Sequence, residues 1–152
     1  MTHLKENDIA PEINSVDHDG NEFSLSAQQG KKVILFFYPK DNTPGCTNEV
    51  CNLRDNYEIL KEKGFDIYGI SPDTVKSHHR FIEKHNLPFS LIMDEDKKIM
   101  EAYGVWGEKK MYGRTFLGVY RTTFIIDEKG KIEKLFKKVN TKAHVEQILG
   151  EF

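Results

Sequence analysis

The feature that most constrains this chain is Lys32-Val33-Ile34-Leu35-Phe36-Phe37-Tyr38, an almost unbroken apolar run closed at once by Pro39. So short a run, rich in β-formers, reads as a strand covered on both faces rather than a buried helix. Pro39 ends it, since proline offers no N–H to a sheet ladder.

Alternating strands and helices surround this run. Glu12–Val16 and Glu22–Leu25 flank Asp17-His18-Asp19-Gly20 and read as a hairpin. A helix is expected from about Pro44 to Lys63, stopped by Gly64. The strand Phe65–Ile70 follows, then a helix over Val75–His85, a short strand at Leu91–Met93 and a short helix over Glu95–Tyr103. Val119–Ile126 and Lys131–Phe136 form a second hairpin around Asp127–Gly130, and a last helix covers Lys142–Leu149. The longest stretch without a pattern is Gly107–Gly118. This order predicts a layered α/β domain with a central mixed sheet flanked by helices. It looks like a thioredoxin-like fold with an added N-terminal β-hairpin. No repeat, linker or low-complexity tract divides residues 1–152, which are expected to form a single domain.

Composition narrows the function. Lys and Arg total 22 against 24 Asp and Glu, a net charge of −2, so there is no electrostatic case for a nucleic-acid partner. The N-terminus has no signal-peptide pattern, and no window approaches the roughly 18 apolar residues of a membrane span. A cytoplasmic protein is the default expectation. In that compartment a cysteine pair is more often catalytic or metal-binding than structural. Zinc would need about four ligands, and no Cys-x-x-Cys accompanies the histidines. His78, His79 and His85 read as solvated surface; His3, His18 and His144 are isolated and receive no role.

The chemistry concentrates in Pro39-Lys40-Asp41-Asn42-Thr43-Pro44-Gly45-Cys46, with Cys51 beyond. Thr43 suits the N-cap and Pro44 the first helical position. Cys46 then falls in the first turn, where unpaired amides and the positive helix end favour a thiolate. Thr43-x-x-Cys46 has capping-box spacing, with sulfur in the usual glutamate position. Val50, Leu53, Tyr57 and Leu60 mark the core face, and Cys46 extends that stripe backward. In an intact helix the Cα atoms of Cys46 and Cys51 stand roughly 8–9 Å apart. Disulfides need about 4.4–6.8 Å, so bonding requires the first turns to unwind. As a structural staple the pair is poor. From spacing alone Cys51 is either a catalytic partner or a small residue on the helix flank. For a cation beside the sulfur, Arg121 at the opening of the strand Arg121–Ile126 is the better candidate, with Val119 and Thr123 on its face. Arg54 competes, but its position in the helix points it away.

Two other segments read as structural. Trp106 is expected to pack near the surface, and Asp94-Glu95-Asp96 to cap and charge the following helix rather than bind calcium. No exposed apolar face stands out.

The spacing Pro39-x-x-x-Thr43-x-x-Cys46, followed by Thr47 and Glu49, closely resembles the signature of peroxiredoxins. The run Tyr38–Thr47, Cys51, Leu53-Arg54-Asp55, Gly104–Lys109 and Arg121–Asp127 resembles the subfamily called bacterioferritin comigratory protein, or peroxiredoxin Q. The similarity extends from about Lys5 to the last helix, and no matched position departs from the pattern.

This resemblance implies a thiol peroxidase that reduces hydrogen peroxide and organic hydroperoxides. Cys46 would be oxidised to sulfenic acid, and Cys51 would resolve it as an intramolecular disulfide. Thr43 would hydrogen-bond the peroxide and the sulfur, Pro39 would shield the pocket, Arg121 would hold thiolate and substrate, and Glu49 would orient Arg121. A thioredoxin-type dithiol would restore the thiols, with no metal or organic cofactor. A monomer or weak homodimer is expected. A resolving thiol in the same helix would limit overoxidation to sulfinic acid. Two rivals are a thioredoxin-like reductase, which calls for Cys-x-x-Cys, and a redox sensor or holdase that uses the same disulfide switch.

Overall fold

The computed structural model describes residues 1–152. Lys32–Phe37 (β3) is the centre of a five-stranded sheet, with Phe65–Ser71 (β4) parallel to it on one side and Thr122–Ile126 (β8) antiparallel on the other. Ser90–Met93 (β5) and Ile132–Phe136 (β9) form the edges, giving the order β5-β4-β3-β8-β9. The sheet is mixed, as the sequence predicts.

Alternation along β3 divides the core in two. Val33, Leu35 and Phe37 join Ile70, Ile92, Phe124 and Ile126 on one face, and Ile34, Phe36 and Tyr38 join Ile67, Leu91 and Ile125 on the other. The second face receives Pro44–Asp55 (α1), Val75–His85 (α3) and His144–Leu149 (α5) through Val50, Leu53, Phe81, Val145 and Ile148. Close approach of these layers leaves no room at Gly69 in β4, where a Cβ would lie 2.5 Å from Phe36 Cζ.

The N-terminal segment crosses the first face. It bridges Ile9 to Lys131 at one side and Asp17 to Ile92 at the other, and between them folds into the expected hairpin, Asn14–Val16 (β1) with Glu22–Ser24 (β2). The short helix Lys98–Ala102 (α4) begins later than the sequence suggests, because Lys97 is left-handed at φ 63°. Asp94 does cap it, accepting from the Ile99 and Met100 amides. Trp106 packs at the edge of the first core face under the Lys97 ammonium, as expected.

Four expectations are corrected. The helix after Pro44 breaks at Asn56, giving α1 and a separate Tyr57–Glu62 (α2). The Asn56 side chain donates to the Asn52 carbonyl, while its own amide turns to Arg54, a side-chain competition that polar residues bring to helices. Gly107–Gly118 is not irregular: Trp106–Met111 (β6) and Arg114–Val119 (β7) pair as an antiparallel hairpin, with Tyr112 and Gly113 both at positive φ in the turn. Val119 therefore ends β7 and lies in the opposite core face from Thr123 and Arg121. This hairpin also exposes Met111, Tyr112, Phe116 and Leu117, an apolar surface that the residue pattern does not reveal.

Candidate active site

Thr43 precedes α1 in extended backbone, and Pro44 takes the first helical position, where its missing N–H is no loss. Cys46 is third in the helix and fully buried, in one apolar cluster with Val50, Leu53 and Tyr38. The first α1 amide to find an acceptor is that of Thr47, which donates to the Thr43 carbonyl. The Gly45 and Cys46 amides are thus left as the free donors of the helix start. The expected capping-box exchange does not form. The Thr43 hydroxyl donates instead to the Lys40 carbonyl at 2.8 Å, across a loop that turns through left-handed Asn42.

Arg121 stands one residue before β8. Its Nη2 donates to Cys46 Sγ at 3.3 Å and its Nη1 to Glu49 Oε1 at 2.7 Å. Glu49 follows Cys46 by one helical turn and has no exposed surface. Burial pushes its carboxyl up to about 7, against the pull of Arg121. Burial opposes charge on Arg121 too, yet Glu49 and Cys46 outweigh it and hold the guanidinium above its ordinary value. Arg54, the competing cation, turns away to Asp55 and to the His85 carbonyl.

His144, isolated in the sequence, is buried behind Glu49. Its Nε2 lies 3.8 Å from Glu49 Oε2 and 2.8 Å from the Thr123 hydroxyl, and its Nδ1 lies 3.0 Å from Gln147 Oε1. Burial lowers its pKa and keeps the ring neutral.

The reading of His78 and His85 as solvated surface is wrong; His79 alone is exposed. His78 is fully buried, with Nδ1 2.9 Å from Asp41 Oδ2. Tyr38 and Ser77 also donate to Asp41, whose amide donates in turn to Asp73. Asp41, Asp73 and His78 converge, but both oxygens of Asp41 accept from Tyr38 and Ser77, and Asp73 Oδ2 accepts from the Asp41 amide and the Ser71 hydroxyl. The cluster instead ties the loop before Cys46 to α3 and to the end of β4. His85 is half-buried, its Nδ1 3.9 Å from Cys51 Sγ. The signal was present in the sequence: His78, Phe81, Ile82 and His85 recur at helical spacing on one face of α3.

Both cysteines are free thiols, and both lie within the unbroken α1. A cleft of about 860 Å³ lies elsewhere, between the N-terminal hairpin and the loop from β5 to α4, where Phe23, Met93, Asp94 and Ile99 line it.

Comparison with known proteins adds the lineage. Residues 7–135 match the AhpC/TSA family. Peroxiredoxin Bcp of Escherichia coli is 46% identical over 149 residues, covering 98% of this chain and 96% of its own, and that of Bacillus subtilis is 44% identical over 140 residues, covering 92% and 89%. The solved bacterioferritin comigratory protein of Xanthomonas campestris superposes with a TM-score of 0.88 at 31% identity, covering 99% of this chain and 96% of that one. Similarity of this depth along nearly the whole length, on a thioredoxin-like frame, means that the chain belongs to the AhpC/TSA family and is a peroxiredoxin of the Bcp, or peroxiredoxin Q, group, a thiol peroxidase.

Proposed function

We propose that Cys46 is the peroxidatic cysteine, that Cys51 resolves it within the same chain, and that a thioredoxin-type dithiol regenerates the enzyme. The observation that carries this reading is the Arg121 guanidinium, 3.3 Å from Cys46 Sγ and braced by buried Glu49, at the entrance of α1. The Cys46 thiolate attacks the terminal peroxide oxygen. An S–O bond forms, the O–O bond breaks, and the departing hydroxide or alkoxide takes a proton to leave as water or alcohol. Arg121 and the free amides of Gly45 and Cys46 stabilise the charge as it shifts onto oxygen. Thr43, whose proton is committed to Lys40, offers its lone pairs to the hydroperoxide O–H. Pro39, half-buried beside this loop, limits water at the sulfur.

Resolution then requires local unfolding, because Cys46 and Cys51 stand roughly 8–9 Å apart in an intact helix. We read both hydrogen peroxide and alkyl hydroperoxides as substrates; the Xanthomonas campestris relative was studied for alkyl peroxide reduction activity. We read residues 1–152 as one domain acting as a monomer or weak dimer in the cytoplasm; no helix is long and apolar enough to cross a membrane. The test is peroxide consumption coupled to thioredoxin. Cys46→Ser should be inactive, and Cys51→Ser should lose thioredoxin-supported turnover while consuming one equivalent. Full turnover by Cys46→Ser would reject the assignment.

A further inference from the structure

The contact between Cys51 and His85 has no part in the chemistry above. Cys51 Sγ lies 3.9 Å from His85 Nδ1, within reach of an S–H···N hydrogen bond. The imidazole is held in place from several sides. It is the last residue of α3, followed by left-handed Asn86. Its carbonyl accepts from Arg54 Nη1 at 2.8 Å, and its ring meets Phe81 edge-on at 5.2 Å. Arg54 is three residues beyond Cys51 on α1, so the residue that anchors His85 belongs to the same helix as the thiol. Asn52 pins that stretch of α1 from another direction, accepting from the Val145 amide at 2.8 Å. The second half of α1 is therefore tied to α3 and α5, and the turn carrying Cys46 is the part left to unwind.

We infer that His85 is the general base of the resolving step, taking the proton of Cys51 before this thiol attacks the sulfenic acid. This rests on the assignment of Cys51 as the resolving cysteine. In the Nε2–H tautomer, Nδ1 presents a lone pair to the thiol. The charged groups facing the ring are Lys84 on its own helix and Arg54 on α1; burial together with these two cations disfavours imidazolium and leaves the base free. The step balances. The Cys51 proton passes to His85 Nδ1, the thiolate sulfur bonds to the Cys46 sulfur, and the S–O bond breaks. Hydroxide leaves and recovers a proton as water, which returns His85 to neutrality.

An ordinary cysteine is only a few per cent thiolate at neutral pH, so a base at this position is worth about tenfold. Two measurements test it with His85→Gln, which preserves bulk but removes the basic nitrogen. In a Cys46→Ser background, alkylation of Cys51 by iodoacetamide at pH 7 should slow about tenfold, and the difference should vanish at high pH. In the two-cysteine protein, rapid quench after one equivalent of hydrogen peroxide should show disulfide formation falling by a similar factor relative to peroxide consumption. Cys46 sulfenic acid should accumulate in the variant. Unchanged alkylation and an unchanged ratio of the two rates would overturn the inference. Failure of the unsubstituted protein itself to form the disulfide would reject the underlying assignment of Cys51, and is seen separately from any effect of His85.

Discussion

At the scale of residues, the site is a chain of contacts: sulfur, guanidinium, carboxylate, imidazole. Arg121 has no substitute in it, since a single guanidinium donates to both Cys46 and Glu49. Arg121→Met should lower the second-order rate of peroxide consumption by about 10²-fold, as loss of one pre-positioned donor does elsewhere; a loss under threefold in stopped-flow would contradict the role. Glu49 gives the site a pH dependence of known sign. Its carboxyl ordinarily titrates at 4.5 and is pushed up to about 7 by burial in the folded protein. Between those values the native state holds a proton that the unfolded chain has lost, so this group's contribution to stability falls as pH rises through the window and levels off above it. Activity should move the other way, because Arg121 is braced only while Glu49 is ionised. Denaturant melts of the wild type and Glu49→Gln from pH 5 to 8 should differ in slope with that sign, and identical slopes would count against it. Cys46 and Arg121 are legible in the sequence as candidates at a helix start and a strand opening, whereas Glu49 comes only with the family resemblance. His144 and Asp41 are not legible, because their role depends on which distant element covers them.

At the scale of elements, α1 serves two purposes. Its first turn carries the sulfur and leaves the Gly45 and Cys46 amides free, and its second half is fastened by Asn52 and Arg54 to α5 and α3. Oxidation should therefore melt it from one end. Hydrogen exchange followed by mass spectrometry should show amides of residues 45–51 losing protection in the disulfide form, while those of α2, α3 and α5 keep theirs; uniform protection across α1 would contradict the unwinding. The helix geometry that forces this was readable from the five-residue spacing of the cysteines. The break at Asn56 was not: the run Tyr57-x-x-Leu60 keeps helical spacing across it, and only the side-chain bond from Asn56 to the Asn52 carbonyl interrupts the backbone. The β6–β7 hairpin is not legible for a different reason. Its strands are largely exposed, so no alternation of burial is written into them.

At the scale of the whole molecule, the sheet separates support from chemistry. Phe124 packs edge-on against Phe37 and Tyr103 on the face away from Cys46. Phe124→Ala should destabilise the fold by about 3–5 kcal/mol by chemical denaturation while leaving the rate of Cys46 oxidation within a factor of a few under native conditions. The central run Lys32–Phe37 and the hairpins at Gly20 and Gly130 made this architecture legible, since buried strands and tight turns are local signals. The path of the N-terminal segment across the sheet is a long-range pairing with no local signature.

The most direct test is the intact mass of the protein after one equivalent of hydrogen peroxide. The wild type should lose two hydrogens, with peptide mapping linking Cys46 to Cys51. Cys51→Ser should gain one oxygen on Cys46, and Cys46→Ser should stay unchanged. An oxygen appearing on Cys51 of Cys46→Ser at the wild-type rate would contradict the account.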